Sequence, residues 1–186
     1  TEIVQHAVNE GFTKIRLTGG EPLVKRDILS LVEMISGIQG IRDLSMTTNG
    51  VLLKGFANEL ANAGLMRINV SLDTLDRAKY KKITRGGDLH KVLEGLKAAD
   101  KAGLKPIKIN MVISEYTNEK DKDDLTSFCR NNGYSLRFIR EMNLKEGTFS
   151  IVEGGLGGDC ARCNRLRLTS NGWLKPCLFN EKAYSI

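Results

Sequence analysis

Long apolar runs, histidine, proline and aromatic residues are all scarce here: the 186 residues include two His, three Pro and one Trp, and aromatics make up 6%. No apolar run exceeds a few residues, far short of the ~20 that a helix needs to cross a bilayer, so a membrane span and a membrane partner are excluded. The three prolines are isolated, which leaves no linker-like stretch dividing residues 1–141. Few aromatics give thin support to a surface that stacks nucleic-acid bases. No charged leader followed by an apolar stretch and a small-residue cleavage site opens the sequence at Thr1, and the expectation is a cytoplasmic protein. Negative charge is the minority sign, 22 Asp and Glu against 28 Lys and Arg, and the resulting +6 leans toward an anionic partner. What remains, 41% hydrophobic and 27% charged residues, is the composition of one folded domain rather than of a disordered chain.

Short β-rich runs recur at Lys14 to Thr18, Asp43 to Thr48, Met66 to Leu72, Ile107 to Ile113 and Ser135 to Ile139. Between them, apolar residues fall at helical spacing, as in Ile28, Leu31, Val32 and Ile35, or Val92, Leu93, Leu96 and Ala99. Strand and helix therefore alternate, the pattern of βαβ units stacked into a parallel sheet or partial barrel. Gly64 and Gly103 stand where a helix C-terminus places glycine. After Glu141 the chain becomes glycine-rich and then cysteine-rich, which divides it into a barrel-like unit over 1–142 and an appendage over 143–186. A closed eight-stranded barrel takes ~250 residues, so five strands make an open sheet or part of a barrel.

Strands buried on both faces are normally continuous apolar runs. These strands instead alternate: Arg16 and Thr18, Ser45 and Thr47, Asn69, Ser71 and Asp73, Lys108 and Asn110. Residues two apart share a face, so one face of the sheet is polar and bears at least two cations. Leaving such groups buried and unpaired costs about 1 to 3 kcal/mol each. An anionic ligand in the hollow, held by Arg16 and Lys108, satisfies them; edge strands with one solvated face are the alternative. Thr18-Gly19-Gly20-Glu21-Pro22, Thr47-Thr48-Asn49-Gly50 and Ser71-Leu72-Asp73 all end strands, where α/β folds hold ligands. In the first of them, paired glycines admit a ligand close to the backbone and Glu21 offers a carboxylate to an ammonium, although a Gly-Gly pair is often just a turn.

Of the four cysteines, Cys129 sits alone in a helical stretch and three follow the pattern Cys160-x2-Cys163-x13-Cys177. Clustering of this kind reads as metal binding before it reads as a disulfide framework. Three thiolates suit a [4Fe-4S] cluster with one open iron, while a zinc site would need Cys129 or Asp159 as a fourth ligand. Arg165 and Arg167 follow on one side of an extended segment, as anion ligands beside the metal or as a solvated face.

Taken together, Lys14-Ile-Arg-Leu-Thr-Gly-Gly-Glu-Pro22, Thr47-Thr-Asn-Gly50, Ile68-Asn-Val-Ser-Leu-Asp73, Lys108-Ile-Asn110, Arg137-Phe-Ile139 and Cys160-x2-Cys-Asn-Arg-Leu-Arg-Leu-Thr169, ending in Cys177-Leu-Phe179, carry a resemblance over nearly the whole chain. The sequence resembles the GTP 3′,8-cyclase (MoaA) family of molybdenum cofactor biosynthesis, within the radical S-adenosylmethionine superfamily. That resemblance implies an α/β fold, a partial (β/α)6 TIM-type barrel with a C-terminal iron–sulfur appendage. It also implies a lyase that uses an S-adenosylmethionine-derived radical to convert GTP to a 3′,8-cyclic intermediate. By the same resemblance Gly20, Ser71 and Met142 are S-adenosylmethionine positions, with Glu21 close by. Arg16, Thr47, Lys108, Arg165 and Arg167 are GTP positions, and Cys160, Cys163 and Cys177 bind the C-terminal, substrate-anchoring [4Fe-4S] cluster. A pyranopterin monophosphate synthase would act downstream, a homodimer is left open, and the resemblance names neither an electron donor nor a catalytic side chain in this sequence.

The sequence departs from the family pattern in two places. The Cys-x3-Cys-x2-Cys loop for the radical-generating cluster is absent, so a second [4Fe-4S] cluster is expected from N-terminal cysteines outside these residues. The connection from Asn143 to Asp159 is also short. Residues lost from a longer protein, or a shortened inactive relative, would each account for both. Two rival readings stand beside the cyclase: another radical enzyme with an auxiliary cluster, such as a peptide maturase, and a non-catalytic zinc protein that binds nucleic acid.

Overall fold

A computed structural model describes residues 1–141, 150–155, 158–179 and 182–186. Helix α1 (Glu2–Asn9) leads into strand β1 (Lys14–Leu17), and a short 3₁₀ turn at Pro22–Val24 precedes α2 (Ile28–Ser36). Then follow β2 (Asp43–Thr48), α3 (Leu53–Asn62), β3 (Arg67–Ser71), α4 (Arg77–Ile83), α5 (Leu89–Lys101), β4 (Lys108–Ile113), α6 (Glu119–Asn132) and β5 (Ser135–Arg140). All five strands pair in parallel in the order β1-β2-β3-β4-β5, the open parallel sheet of a partial barrel. The long interval between β3 and β4 holds two helices rather than one, α4 and α5.

The pleat sorts the strands into two chemically distinct faces. Leu44, Met46, Ile68, Val70, Ile109 and Met111 point to the helices and are fully buried. Against them pack Ile28, Val32 and Ile35 of α2, Leu53, Ala57 and Leu60 of α3, and Val92, Leu96 and Ala99 of α5. Each buried aliphatic side chain of this kind contributes roughly 1.5 to 3 kcal/mol. Helix α5 approaches the β2–α3 loop closely at Gly95: a Cβ there would lie 2.5 Å from the Gly50 carbonyl oxygen. Helix α6 starts on a capping box, with the Asn118 side chain accepting from Asp121 N and Asp121 accepting from Asn118 N. The same Asp121 accepts from the buried Thr74 hydroxyl at 2.7 Å and pairs with Lys79, tying the loop after β3 to α6.

Gly64 and Gly103 take positive φ (96° and 80°) just after α3 and α5, as their placement predicts. Cys129 belongs to the core on α6, 2% exposed, and burial pushes its thiol up to about 11. It is a packing residue there and not a thiolate ligand for the tail, so the zinc site that would have used it is not the arrangement found.

Beyond the barrel strands, the C-terminal region is more regular than a glycine- and cysteine-rich sequence suggests. Strands β6 (Arg167–Leu168), β7 (Trp173–Lys175) and β8 (Tyr184–Ser185) form a small antiparallel sheet, its first hairpin turning at Asn171-Gly172. These strands are two or three residues long, too short for alternation to reveal. Glu153 exchanges both backbone hydrogen bonds with Phe138, covering the outer edge of β5. No helix among the described residues is long and apolar enough to cross a membrane.

Candidate active site

On the second face of the sheet, side chains in register form successive rows across the strands. Arg16, Ser45 and Arg67 share the first row, Thr47, Asn69 and Lys108 the second, and Ser71, Asn110 and Arg137 the third. A parallel sheet covered by helices on both sides could not carry such residues. Here the polar face lines the hollow of the half-barrel.

The electrostatics of that face are strongly one-signed. Arg16 lies on the outermost described strand and is exposed by surface area, yet loss of hydration is the largest influence on it and holds its pKa below the ordinary value. The cations Arg67, Arg137 and Arg165 push it the same way, and Asp43 opposes them. Lys108 is lowered by burial first and then by Arg137, Arg67 and Arg16; Arg137 is lowered by burial, Arg67 and Arg165. Five cations therefore crowd one hollow. Asp43 is the carboxylate paired within it, accepting from Arg67 Nε and Nη2 at 2.7 Å each in a bidentate fork. The Arg67 hydrogen bonds hold the Asp43 carboxyl below its usual range, against burial that would raise it.

Polar atoms on this face are left unsatisfied. Among the described residues, the buried side-chain polar atoms without a hydrogen-bond partner are Arg67 Nη1, Asn69 Oδ1, Asn110 Oδ1 and Arg137 Nε, and all four lie on this face. Two are donors and two are acceptors. Native interiors rarely tolerate such groups unless something else pairs with them.

At the carboxyl ends of the strands the Gly-Gly-Glu-Pro loop is held by its own glutamate. Glu21 Oε1 accepts from the Thr48 hydroxyl at 2.6 Å and from Leu23 N at 3.2 Å, and Oε2 accepts from Asn49 N at 2.7 Å. The carboxylate read from sequence as an acceptor for an ammonium is thus also an internal clamp between β1 and β2. Gly19 and Gly20 beside it face open space, with nothing within 4 Å of a Cβ built at either. Asp73, at the rim beyond Ser71, accepts from Val112 N at 2.8 Å, and burial pushes its carboxyl up from the ordinary value.

The structure brings Arg16, Thr47 and Lys108 onto one face and adds Arg165 from the C-terminal segment, close enough to perturb both Arg16 and Arg137. Asn164, the residue before it, lines a cavity of about 350 Å³ with Glu10 to Lys14 at the start of β1. Arg167 is on β6, opposite Lys175, and is not among the cations named as perturbing Arg16, Lys108 or Arg137. Gly20 and Ser71 are exposed at strand ends, and Met142 lies outside the described residues. Arg67, Asp43 and Arg137 join the site without having been singled out for it. The alternation that marked Asn69 and Ser71 also reaches Arg67, two residues earlier on the same strand.

Cys160 and Cys163 flank a 3₁₀ turn and are exposed, and Cys177 follows β7, half-buried; all three thiols are free. Their chemistry suits an iron–sulfur cluster. The described residues do not gather three or more Cys, His, Asp or Glu side chains into one metal-holding group.

Residues 1–129 match the Radical SAM superfamily, a class with which the parallel half-barrel and the ligand groups at its carboxyl strand ends agree. Within that class the chain belongs to the GTP 3′,8-cyclase family. It is 39% identical to the GTP 3′,8-cyclase of Thermodesulfovibrio yellowstonii over 230 aligned positions, covering 100% of this chain and 71% of that protein. It is 36% identical to the GTP 3′,8-cyclase of Alkaliphilus oremlandii, again over 100% of this chain and 71% of the relative. Both alignments are longer than the chain itself, so each relative has residues at internal positions where this chain has none. In fold, the chain is similar to Streptococcus suis SuiB solved with S-adenosylmethionine bound, with a TM-score of 0.66 at 19% identity over 98% of this chain and 54% of SuiB. The superfamily implies S-adenosylmethionine and a [4Fe-4S] cluster, and the open backbone at Gly19 and Gly20 fits the first of these.

Proposed function

We propose that this chain carries the substrate hollow of a GTP 3′,8-cyclase, in which GTP is converted to a 3′,8-cyclic intermediate of molybdenum cofactor biosynthesis. The observation that carries the reading is the convergence of Arg16, Arg67, Lys108, Arg137 and Arg165 on one face, with Arg67 Nη1 and Arg137 Nε still unpaired. A triphosphate supplies the negative charge and the acceptor oxygens that this arrangement lacks.

In this reading Arg16, Lys108 and Arg165 hold the triphosphate, with Thr47 beside it, and Asp43 fixes the fork of Arg67 so that its free Nη1 donates to a phosphate oxygen. Arg167, on β6 and outside that group of cations, is a GTP position on the family resemblance alone. Gly20 and Ser71 at the strand ends, together with Met142, would hold S-adenosylmethionine, which on one-electron reduction by the radical-generating cluster would supply the 5′-deoxyadenosyl radical that removes the ribose 3′ hydrogen. The chain's own part is to fix the distance between the two ligands and to keep water from the hollow. Cys160, Cys163 and Cys177 have the chemistry to hold a C-terminal cluster, and the radical-generating cluster would use cysteines outside these residues. Residues 1–142 form the barrel unit and 143–186 the substrate-binding appendage, in a cytoplasmic enzyme whose product passes to a pyranopterin synthase.

The test is turnover by the full-length, cluster-loaded protein given GTP, S-adenosylmethionine and a reductant under anaerobic conditions. The cyclised nucleotide and 5′-deoxyadenosine should form together, and Lys108→Ala should weaken GTP binding by about tenfold or more, the cost of a charge-assisted bond. Formation of 5′-deoxyadenosine that is indifferent to GTP would overturn the assignment.

A further inference from the structure

The two unpaired acceptors on the cationic face have no use for a phosphate. Phosphate oxygens accept hydrogen bonds, and they suit Arg67 Nη1 and Arg137 Nε; they cannot satisfy Asn69 Oδ1 or Asn110 Oδ1. Asn69 is 1% exposed, and its amide orientation is fixed because Nδ2 donates to the Met46 carbonyl at 3.3 Å. Flipping it would set two carbonyl oxygens against each other. A ligand that completes this face must therefore bring hydroxyl or amino donors next to its anionic part.

The register says which part of the ligand these acceptors meet. Asn69 is level with Lys108, on the phosphate side, while Asn110 is one pleat nearer the strand ends, level with Ser71 and Arg137. Neighbouring strands lie about 4.8 Å apart, so Asn110 stands one strand from the rim where Ser71 is exposed. In the cyclase reading the sugar lies between the phosphates among the cations and S-adenosylmethionine at the rim, and Asn110, in register with both Arg137 and Ser71, stands at that junction. Resting on the cyclase reading above, we infer that Asn69 and Asn110 accept hydrogen bonds from the ribose hydroxyls and make the hollow selective for ribonucleotides over deoxyribonucleotides.

Equilibrium binding to the full-length, cluster-loaded protein tests this with GTP, 2′-deoxy-GTP, 3′-deoxy-GTP, inosine triphosphate and inorganic tripolyphosphate. Wild type should bind GTP about tenfold more tightly than at least one of the deoxynucleotides, since a lost partner leaves a buried acceptor bare. Asn110→Ala and Asn69→Ala should reduce that preference to about twofold or less while leaving tripolyphosphate binding within about twofold, the pattern of a lost hydroxyl contact rather than of a damaged fold. Should Asn69→Ala not fold, the wild-type series and Asn110→Ala decide the matter. Equal affinity for GTP and both deoxynucleotides overturns the inference alone, as does a loss seen only with inosine triphosphate, which would give the acceptors to the base. Equal affinity for GTP and tripolyphosphate overturns the cyclase reading as well.

Discussion

Among single residues, Asp43 has the largest leverage on this hollow. It is the carboxylate paired among the cations, with its side chain 20% exposed and that of Arg67 13%. Exposed pairs are worth about 0 to 1 kcal/mol, and breaking buried ones costs about 3 to 5, so Asp43→Ala should destabilise the fold by about 2 to 3 kcal/mol. The change also frees the guanidinium fork of Arg67, so urea denaturation and anion binding should both be altered. The pH dependence has a definite sign. Because the Asp43 pKa is depressed in the folded state, its contribution is fully present above the ordinary Asp value of about 3.9 and is lost as pH falls through the lower folded value. Acid denaturation of wild type and of Asp43→Asn checks this: the variant should lose the part of the acid transition that Asp43 carries.

Two glycines within helices make opposite predictions at the scale of the element. Gly55 in α3 is exposed and a Cβ there would meet nothing within 4 Å, so Gly55→Ala should stabilise by about 0.5 to 1 kcal/mol through helix propensity. Gly95 in α5 is buried, and a Cβ there would press on the Gly50 carbonyl at 2.5 Å and on Leu53 Cβ at 3.0 Å. Gly95→Ala should therefore destabilise by about 1 to 3 kcal/mol despite the same propensity gain, because overpacking outweighs it. Thermal denaturation of the pair checks the ordering. Sequence alone shows two helical glycines and cannot rank them, since the difference lies in what the β2–α3 loop places over α5.

For the whole molecule, the gathered positive charge opposes folding until an anion neutralises it. Tripolyphosphate at about 100 times its dissociation constant should stabilise the protein by about 2.7 kcal/mol, a rise in Tm of about 5 to 10 °C, and sodium chloride of equal ionic strength should give much less. Lys108→Ala should reduce that rise; an equal rise with chloride would mean general screening rather than a built anion site. At this scale the strands were legible almost to the residue, because alternation within them and helical spacing between them leave little choice. The polar face was legible as well, from Arg16, Asn69 and Lys108. Arg165 was grouped with them only through the family resemblance, and its place beside Arg16 comes from the C-terminal segment lying at the start of β1. The clamp that Glu21 forms with Thr48 and Asn49 was not legible, because nothing local shows that residues 27 and 28 positions away will donate to its oxygens.

By itself the sequence determined the order of the five barrel strands and the helical segments between them, the division of the sheet into an apolar and a polar face, and the chemistry at the strand ends. These depend on periods of two and 3.6 residues and on residues close together along the chain. Only the tertiary structure decided that four cations from four strands and a fifth from the C-terminal segment share one hollow, that Asp43 locks one of them, and that two asparagine oxygens are left wanting a donor. Those facts arise from parallel pairing, which sets side by side residues 20 to 40 positions apart, and the register of that pairing is fixed by packing against the helices rather than by any one strand.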